Sequence, residues 1–536
     1  MRITPLSEIG IRTISAHRET IVFPMGIHQI YPERLHEDYR FVSNNDASLK
    51  RLWVDLDGSS DVVIDGQGAE LIMNGRIIPF YLRHARNIVL KNFTIDWNRQ
   101  FISPALVKRI GDGWINVEFA PEYPVEVKNG RLRFIGSHYF SDQVVNVLEF
   151  DARRMETAWK ADDCYDFNET YRAEVKDAKT IRIRYNFHKI PAVGNFLAIA
   201  HEPRLSPAIV IDSCTNVRLE NITIHHCSGM GVIAQCSSNI ILDKINVKRR
   251  PRSTSPVSIS ADAAHFVDCD GSITIQNCLF ENQMDDSCNI HGIYRPVTRQ
   301  LTPNSLEIAL IHHQQLGIDT IRPGDNVGFY SRSNFKLLFE ARAEQVTRLN
   351  CEYSEIVFSE LLPDVEWSDI AVMRKNHNIE VHIANNIFRN NRARSLLIST
   401  LGKVLIENNY FHVPGSAMIF AGDSNYWYES GPVEDVEVRN NVFDNCGYGI
   451  WGNALFSFIP EIEPQYRQFP FHRNIRIHHN QIRILEYPVV YARCVDGLAY
   501  YNNEITSEHD YPAAAPKGDQ VLFDGCVNTT TSLQPA

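Results

Sequence analysis

The sequence predicts an all-β protein whose body is a right-handed parallel β-helix, a solenoid, with two inserted small β-barrel-like domains. Three observations lead to this prediction. Short runs of alternating apolar residues recur, each run ends on an asparagine or its equivalent, and the intervals 221 to 244, 385 to 408 and 479 to 502 are all 23 residues. A helical solenoid needs two amphipathic segments of about ten or more residues per repeat, which such strand-like runs cannot supply.

The repeated run has the form apolar, variable, apolar, variable, Asn. It occurs at 88–92, 217–221, 273–277, 381–385, 404–408 and 436–440, and more loosely around His479 and Asn502. Alternation indicates strands, and the asparagine marks a corner between them. A second asparagine often follows, as at Asn409 and Asn441, and stacked asparagines can form hydrogen-bonded ladders.

The repeat pattern stops twice, which indicates two insertions. The predicted segments are an N-terminal cap with the first β-helix turns (1–100), an inserted β-domain (101–206), β-helix turns (207–293), a second inserted β-domain (294–376), C-terminal β-helix turns (377–510) and a tail (511–536). Both insertions flank the turns at 207–293, so we expect them to wall a pocket there, as ligand sites favour domain junctions.

The composition indicates an ordered protein without a nucleic-acid partner. Hydrophobic residues make up 44% and charged residues 22%, while the net charge of −11 opposes binding to phosphates. An uncharged substrate, or one with spread positive character, fits this balance better.

The cysteines and the start of the chain bear on its compartment. Eleven cysteines without a CxxC pair describe neither a disulfide framework nor a zinc site. The first residues lack the apolar stretch of a secretory signal, and no run reaches the length of a membrane span. A cytoplasmic location is therefore expected, although a secreted protein that had lost its signal would look similar.

Three acidic residues form the candidate site. The corner positions Lys244 and Asn277 are 33 residues apart, ten more than the period of 23. If these ten residues are assigned to the loop at 248–256, Asp262 lies eight positions past Lys244, as Asp285 lies eight past Asn277. The two residues are thus predicted to hold equivalent positions on turns about 4.8 Å apart, with Asp286 beside them. Like charges at that distance raise at least one pKa.

Acid clusters on a β-helix have several interpretations. They serve as glycosidase acids and bases, as calcium sites of polysaccharide lyases, or as structural ladders capped by ions. A uronate-directed hydrolase or lyase needs a basic pocket, and the sequence shows little basic density near the acids. A tailspike-like adhesin would bind glycans without cleaving them.

Longer motifs narrow these alternatives. Residues 285–292 read Asp-Asp-Ser-Cys-Asn-Ile-His-Gly, similar to the Asp pair and His-Gly of polygalacturonases. Together with 260–266 and 278–284 they resemble glycoside hydrolase family 110, whose members are α-1,3-galactosidases, including some that cleave blood group B structures. Segments 64–68, 79–81, 94–97, 390–394 and 421–431 extend the resemblance over roughly 60 to 530, with Ser287 and Cys288 as small departures.

The resemblance implies an exo-acting, inverting hydrolase that removes terminal α-1,3-linked galactose from a glycan without a metal or other cofactor. Its catalytic residues would be Asp262, Asp285 and Asp286. Glycoside hydrolysis needs a protonated acid and a carboxylate, which such a cluster can provide. Adjacent turns suggest a separation of about 5 Å, nearer the retaining spacing than the ~6.5–9.5 Å of inverting enzymes. Family members can form homodimers.

Several further residues are candidates for substrate binding. Arginines near the acids can bind carboxylates or sugar hydroxyls, and aromatic rings can stack on galactose, although an ion pair or a core position is the alternative for each. The candidates are His291, Asn289, Arg392, Arg394, Trp97, Asp423, Trp427, Tyr428 and Glu429.

Overall fold

The computed structural model describes residues 2–3, 10, 13–136, 139–161, 170–375, 379–486, 488–507, 510–512 and 518–532. Within these ranges the chain is built from β-strands and two short 3-10 turns, Pro32–Arg34 and Pro464–Tyr466. No helix in the described part of the chain is long and apolar enough to cross a membrane. The all-β prediction is confirmed.

Two long sheets with mainly parallel strands form the β-helix. The first contains Arg2–Ile3, His17–Val22, Ile27–Ile30, Ser60–Met73, Arg86–Trp97, Thr215–Ile224, Ser238–Val247, Asp270–Gln276, Leu279–Glu281, Ile379–Ala384, Ile387–Arg389, Lys403–Glu407, Tyr410–His412, Asp435–Arg439, Val442–Asp444, His472–His478, Gln481–Ile484, Val495–Tyr501, Glu504–Ser507 and Thr530–Thr531. The second contains His36–Arg40, Ser48–Asp57, Ile78–Arg83, Ile209–Asp212, Val232–Gln235, Ala264–Val267, Cys288–Ile293, Leu396–Ser399, Met418–Phe420, Glu429–Ser430, Phe456–Phe458, Val490–Arg493 and Val521–Asp524.

Alternation along the strands fills the space between the sheets. In the first sheet Ile273 pairs with Ile240 on one side and Val381 on the other, and all three are buried. In the second sheet Phe266 lies beside Ile290 in the same core. Because parallel register stacks equal positions on successive turns, every second residue must be apolar, which explains the repeated run.

Each of the two corner asparagines has its own role. The first takes a left-handed backbone, with φ of 59° at Asn385 and 57° at Asn408, which asparagine tolerates better than most residues. The second is buried and builds the ladder. The Asn409 Oδ1 accepts hydrogen bonds from the backbone and side-chain nitrogens of Asn386, and Asn409 Nδ2 donates to Asn441 Oδ1 at 3.0 Å. The ladder therefore gives each of these buried amides hydrogen-bond partners, which buried polar groups require.

The first insertion is an antiparallel seven-stranded sheet with a three-stranded sheet beside it. The larger sheet contains Ile102–Gly111, Trp114–Phe119, Asn146–Asp151, Glu156–Thr157, Arg172–Val175, Thr180–Arg184 and Phe196–Ala200; the smaller contains Val125–Lys128, Arg131–Ile135 and Phe140–Ser141. Buried residues such as Val117, Phe134 and Ile183 give it a separate core.

The second insertion is a closed six-stranded barrel. Its strands are Arg295–Thr302, Ser305–Ala309, Asn326–Ser331, Leu337–Arg348, Tyr353–Phe358 and Ile370–Arg374. Closure leaves no sheet edge unpaired. The chain leaves the β-helix at the end of Cys288–Ile293 and returns at Ile379–Ala384, so the barrel stands directly after the strand that follows the Asp pair.

The expected tail at 511–536 is wrong in part. Val521–Asp524 pairs in parallel with Val490–Arg493, and Thr530–Thr531 pairs with residues 499–500, so both strands extend the β-helix. The short apolar run at 521–523 was too brief to show a period. Residues 513–517 and 533–536 lie outside the described residues.

The described cysteines are free thiols, mostly buried in the stack. Cys164 lies outside the described residues.

Candidate active site

The acids lie just before strands of the second sheet, on successive turns. Ala264 pairs with Cys288, which pairs with Leu396. Two residues earlier on each turn stand Asp262, Asp286 and Arg394. The position equivalent to Asp262 is therefore held by Asp286, and the prediction that Asp285 holds it is wrong by one residue. That alignment removed one residue too many from the loop, because the tenth surplus residue lies in a register shift after Asp270, where Ser238 pairs with Asp270 but Ile240 pairs with Ile273.

Asp285 is held by two arginines. Arg204, from the segment that follows the first insertion, donates from Nη2 to Asp285 Oδ2, and Arg392 Nη1 donates to Oδ1 at 2.9 Å. Burial alone would raise the pKa of the Asp285 carboxyl, but the charges of Arg392, Arg204 and Arg394 hold the pKa below its ordinary value. Asp285 is thus a carboxylate at neutral pH.

Asp286 forms a two-pronged ion pair with Arg394. Its Oδ1 accepts from the Arg394 Nε at 3.0 Å and from the Arg394 backbone N–H at 3.1 Å, and its Oδ2 accepts from Nη2 at 2.7 Å. Burial raises the pKa of Asp286, the charge of Arg394 opposes the rise, and Asp285 adds to it. Both oxygens act as acceptors, which is the bonding of an ionised carboxylate.

Asp262 differs from the other two acids because, among the described residues, no arginine hydrogen bonds it. Its Oδ2 lies 2.6 Å from His265 Nδ1 instead. Burial, reinforced by the charge of Asp285, raises the pKa of Asp262 to about 8. One acid of the cluster therefore keeps a proton at neutral pH while its neighbours are ionised.

Two buried histidines continue the hydrogen bonding that begins at Asp262. His265 Nε2 lies 2.9 Å from His291 Nε2, and His291 Nδ1 lies 2.7 Å from the Gly292 carbonyl oxygen. Glu429 Oε1 is 3.5 Å from His291 Nε2 and accepts from Asn289 Nδ2 at 3.2 Å. Burial lowers the pKa of both imidazoles, and the charge of Glu429 opposes the fall.

The acids open into a cavity of about 480 Å³. This volume falls within the roughly 300–1,000 Å³ of small-molecule sites. The N-terminal region, the segments beside the first insertion and the second insertion all contribute to its wall. Its lining includes Arg204, Asp262, Asp285, Asp286, Asn289, Arg392, Arg394, Trp427, Glu429 and Trp451.

The cavity therefore contains most of the predicted binding residues. Asn289, Arg392, Arg394, Trp427 and Glu429 line it together with the three acids. The Trp427 loop is held in place from both sides. His312 packs against the ring with centroids 4.3 Å apart, and Gln315 Nε2 donates to the Trp427 carbonyl at 2.6 Å.

Four predicted contacts are corrected by the structure. Trp97 is fully buried inside the β-helix, where its Nε1 donates to the Gly75 carbonyl, so it cannot stack on a sugar. Tyr428 packs into an apolar cluster away from the cavity wall. Asp423 accepts backbone N–H groups of residues 425–427 and so shapes the Trp427 loop. The His291 side chain has no exposed surface and lies behind Asp262.

Three residues of the site were missed in the sequence. Arg204 stands in a segment without repeat pattern, so no register points to it. Trp451 lies in a glycine-rich loop, with Arg392 over its ring at 5.7 Å. His265 carried a signal, because strand 264–267 alternates and places a histidine on the outward face beside Asn289. A polar residue at such a position, on a sheet covered by insertions, indicates a site.

The expectation of little basic density near the acids is also wrong, because Arg204, Arg392 and Arg394 all reach the cavity. Their charge is balanced by Asp285 and Asp286 within hydrogen-bonding distance. One oxygen from each of the three acids lies within 4.8 Å of the others, a spacing that would also suit a divalent cation. The arginines already supply the positive charge that such an ion would bring.

Comparison with known proteins places this arrangement in a family. Residues 103–197 match the family described as GLAA-B beta-barrel domain I, and residues 305–366 match GLAA-B beta-barrel domain II. These ranges lie within the two insertions.

Full-length relatives and solved structures are also similar. Alpha-1,3-galactosidase A of Shewanella woodyi is 32% identical, over 92% of this chain and 81% of that protein. Alpha-1,3-galactosidase B of Bacteroides thetaiotaomicron is 31% identical, over 96% and 85%. A family 28 exopolygalacturonase of Yersinia enterocolitica aligns over 96% of this chain and 73% of that chain, with 11% identity and a TM-score of 0.40. By its relatives and its two insertions, the chain belongs to the α-1,3-galactosidase family, glycoside hydrolase family 110.

Proposed function

We propose that this protein is an exo-acting α-1,3-galactosidase that removes a terminal galactose from a glycan or oligosaccharide. The observation that carries the proposal is the unequal bonding of three acids in one cavity: Asp285 and Asp286 bond arginines, whereas Asp262 bonds His265 and is the acid whose pKa burial raises to about 8. Glycoside hydrolysis requires this pairing of acid and carboxylate. The relatives' names supply the linkage and the sugar.

The two roles follow from the two environments. Asp262 protonates the oxygen of the leaving sugar, because it is the acid whose pKa is raised to about 8. The Asp285 and Asp286 pair supplies the carboxylate that acts on water or on the anomeric carbon. Trp427 and Trp451 offer rings for the apolar face of galactose, and Asn289 and Glu429 offer hydrogen bonds for its hydroxyls.

The stereochemical course is a separate part of the proposal. The resemblance implies inversion, but one oxygen from each acid lies within 4.8 Å of the others, below the ~6.5–9.5 Å between the carboxyls of inverting enzymes. Inversion therefore stays a prediction that needs the acids to part when substrate enters.

One experiment tests both parts. The purified protein is incubated with galactose-α-1,3-galactose, and the products are followed by proton NMR. We expect free galactose, and under inversion the β anomer appears first. If no galactose is released from this or a fucose-branched substrate, the proposed function is wrong, whereas initial α anomer would overturn inversion alone.

An acidic sugar is the second candidate substrate, favoured by the three arginines at the cavity. Their charge is already balanced by Asp285 and Asp286, and Glu429 adds a further negative charge, so an uncharged sugar fits better. Parallel incubation with oligogalacturonate, with and without a chelator, distinguishes this candidate: cleavage of it in preference to the galactoside would favour a uronate-directed enzyme, and chelator sensitivity a lyase.

A further inference from the structure

A second cavity, of about 180 Å³, adjoins the cavity that contains the three acids. Trp451 lines both cavities, and Arg392, which bonds Asp285, lies over the Trp451 ring. The two cavities are therefore neighbours that share an aromatic residue. The reaction as proposed uses the first cavity and gives the second no role.

The strand register shows where the second cavity lies relative to the acids. Asp286 and Arg394 stand two residues before the paired strands of their turns. On the next three turns this position is held by Ser416, Ala454 and Pro488. All three line the second cavity. Because successive turns are about 4.8 Å apart, Ser416 lies about 10 Å along the β-helix axis from Asp286, and the second cavity continues the row of the acids.

Hydrogen bonds hold the wall of the second cavity in place. Much of this wall is the glycine-rich loop at 447–453. The Gly447 N–H donates to the Val413 carbonyl at 3.0 Å, and the Lys160 backbone N–H of the first insertion donates to the Tyr448 carbonyl at 3.0 Å. The cavity is thus formed before a ligand arrives, and binding there costs little ordering of the chain.

The charged residues at the second cavity are paired. Lys160 Nζ donates to Glu486 Oε2 at 3.4 Å, and Arg483 Nη1 donates to Asp444 Oδ1 at 3.2 Å. Two positive groups are therefore matched by two negative ones. This balance favours an uncharged ligand over a carboxylated or sulfated sugar.

The rest of the lining suits a sugar ring. Trp451 and Ile450 offer apolar surface for C–H groups, and Asn453 offers hydrogen bonds for hydroxyls. The buried Trp451 Nε1 has no hydrogen-bond partner among the described residues, and a hydroxyl group would supply one. A cavity of about 150 Å³ can hold a benzene ring, so this one has room for a single sugar ring.

We propose that the second cavity binds a neutral sugar of the leaving part of the glycan, namely the sugar attached to the reducing end of the leaving galactose. This inference rests on the proposed function. An exo-acting enzyme binds the end of a glycan beside the acids, so no sugar precedes the galactose that is released. A further ring along the same row therefore belongs to the part that leaves. The protein then recognises a trisaccharide rather than the cleaved linkage alone.

The experiment compares galactose-α-1,3-galactose with the trisaccharide that carries a β-linked N-acetylglucosamine at its reducing end. Both have the same scissile bond, and kcat/KM for galactose release is measured in the wild type, Ala454→Leu and Asn453→Ala. Leucine at 454 occupies part of the second cavity, whereas alanine at 453 removes a polar side chain from its lining. The matched control is Asn98→Ala, at an exposed asparagine outside both linings.

We expect the wild type to favour the trisaccharide about tenfold in kcat/KM, since a ring contact and one or two hydrogen bonds contribute about that factor. Ala454→Leu should bring this ratio close to one and Asn453→Ala should lower it about threefold, while kcat/KM on the disaccharide stays within about twofold in both variants and Asn98→Ala leaves the ratio unchanged. If Ala454→Leu does not fold, the wild-type ratio and Asn453→Ala still decide.

Three results would count against these conclusions. A wild-type ratio near one, or equal losses on both substrates in the two cavity variants, would overturn the second binding site. A preference for a fucose-branched trisaccharide over the linear one, removed by Ala454→Leu, would assign the cavity to a branch and overturn the placement of the linear chain. Absence of galactose release from every substrate would instead overturn the proposed function.

Discussion

The substitution Asp262→Asn tests whether Asp262 is the proton donor of the cluster, with Asp285 and Asp286 as its carboxylates. Burial raises the pKa of Asp262 to about 8, so roughly ten protonated carboxyls are present for each ionised one at pH 7. The substitution keeps the shape of the side chain but removes this acidic proton. It breaks no arginine pair among the described residues, so the variant should fold. A positioned general acid contributes about 10²–10⁴-fold, which is roughly 3–5 kcal/mol of barrier.

The assay uses a pair of substrates: galactose-α-1,3-galactose needs a proton on its leaving oxygen, whereas α-galactosyl fluoride releases fluoride without one. Asp262→Asn should lose about 10²–10⁴-fold in kcat/KM on galactose-α-1,3-galactose and retain activity within about tenfold on α-galactosyl fluoride. The matched variant Asp286→Asn should lose activity on both substrates, because the carboxylate acts on the water or the anomeric carbon whatever the leaving group. Circular dichroism and thermal unfolding verify the fold of each variant.

The reverse pattern would refute this assignment. If Asp262→Asn is equally impaired on both substrates while Asp285→Asn or Asp286→Asn is spared on the fluoride, the proton donor is one of the paired acids. The arginines seen around it would then have to move when substrate binds.

Four further outcomes follow from the described contacts. Arg394→Leu leaves the buried Asp286 unpaired and should cost about 3–5 kcal/mol in denaturant unfolding, whereas Arg389→Leu, in an exposed pair, should cost less than about 1. Asn409→Ala should cost about 1–3 kcal/mol by breaking the ladder, while thermal unfolding of Asn408→Gly should change little, because glycine accepts the positive φ. Trp427→Ala should raise KM about tenfold, with kcat nearly unchanged, if its ring stacks on galactose. A chelator should leave galactose release unchanged, and loss of activity that added metal restores would contradict the charge balance by arginine.

The sequence predicted the stack but not its details. The corner asparagines and the alternating runs located the turns. These features are local, so one chain segment contains the information. The equivalence of Asp262 and Asp286 was missed because one residue of the surplus lies in a register shift within the strand Asp270–Gln276 and not in the loop, and such a shift leaves no trace in the spacing.

The site was harder to predict where its parts come from different regions. Asp262, Asp285 and Asp286 were recognisable from their motif. Arg204 was not, because it lies in a segment with no pattern of its own and the acid that it bonds, Asp285, is 81 residues away in the sequence. Trp97 looked like a sugar platform because sequence gives residue type and not direction. Its strand position turns the ring into the core.

The pairing of Asp286 with Arg394 also implies an order in which parts of the chain fold. The partners are 108 residues apart, with the whole six-stranded barrel between them. During synthesis from the N-terminus, Asp285 and Asp286 are made before Arg394. The ion pair of Asp286 with Arg394 can form only after the turn beyond the barrel has packed onto the β-helix. Closing so long a loop is entropically costly and slow. The galactosidase site should thus be among the last parts of the molecule to form, and a chain arrested within the barrel should hold a growing β-helix edge that carries two uncompensated acids.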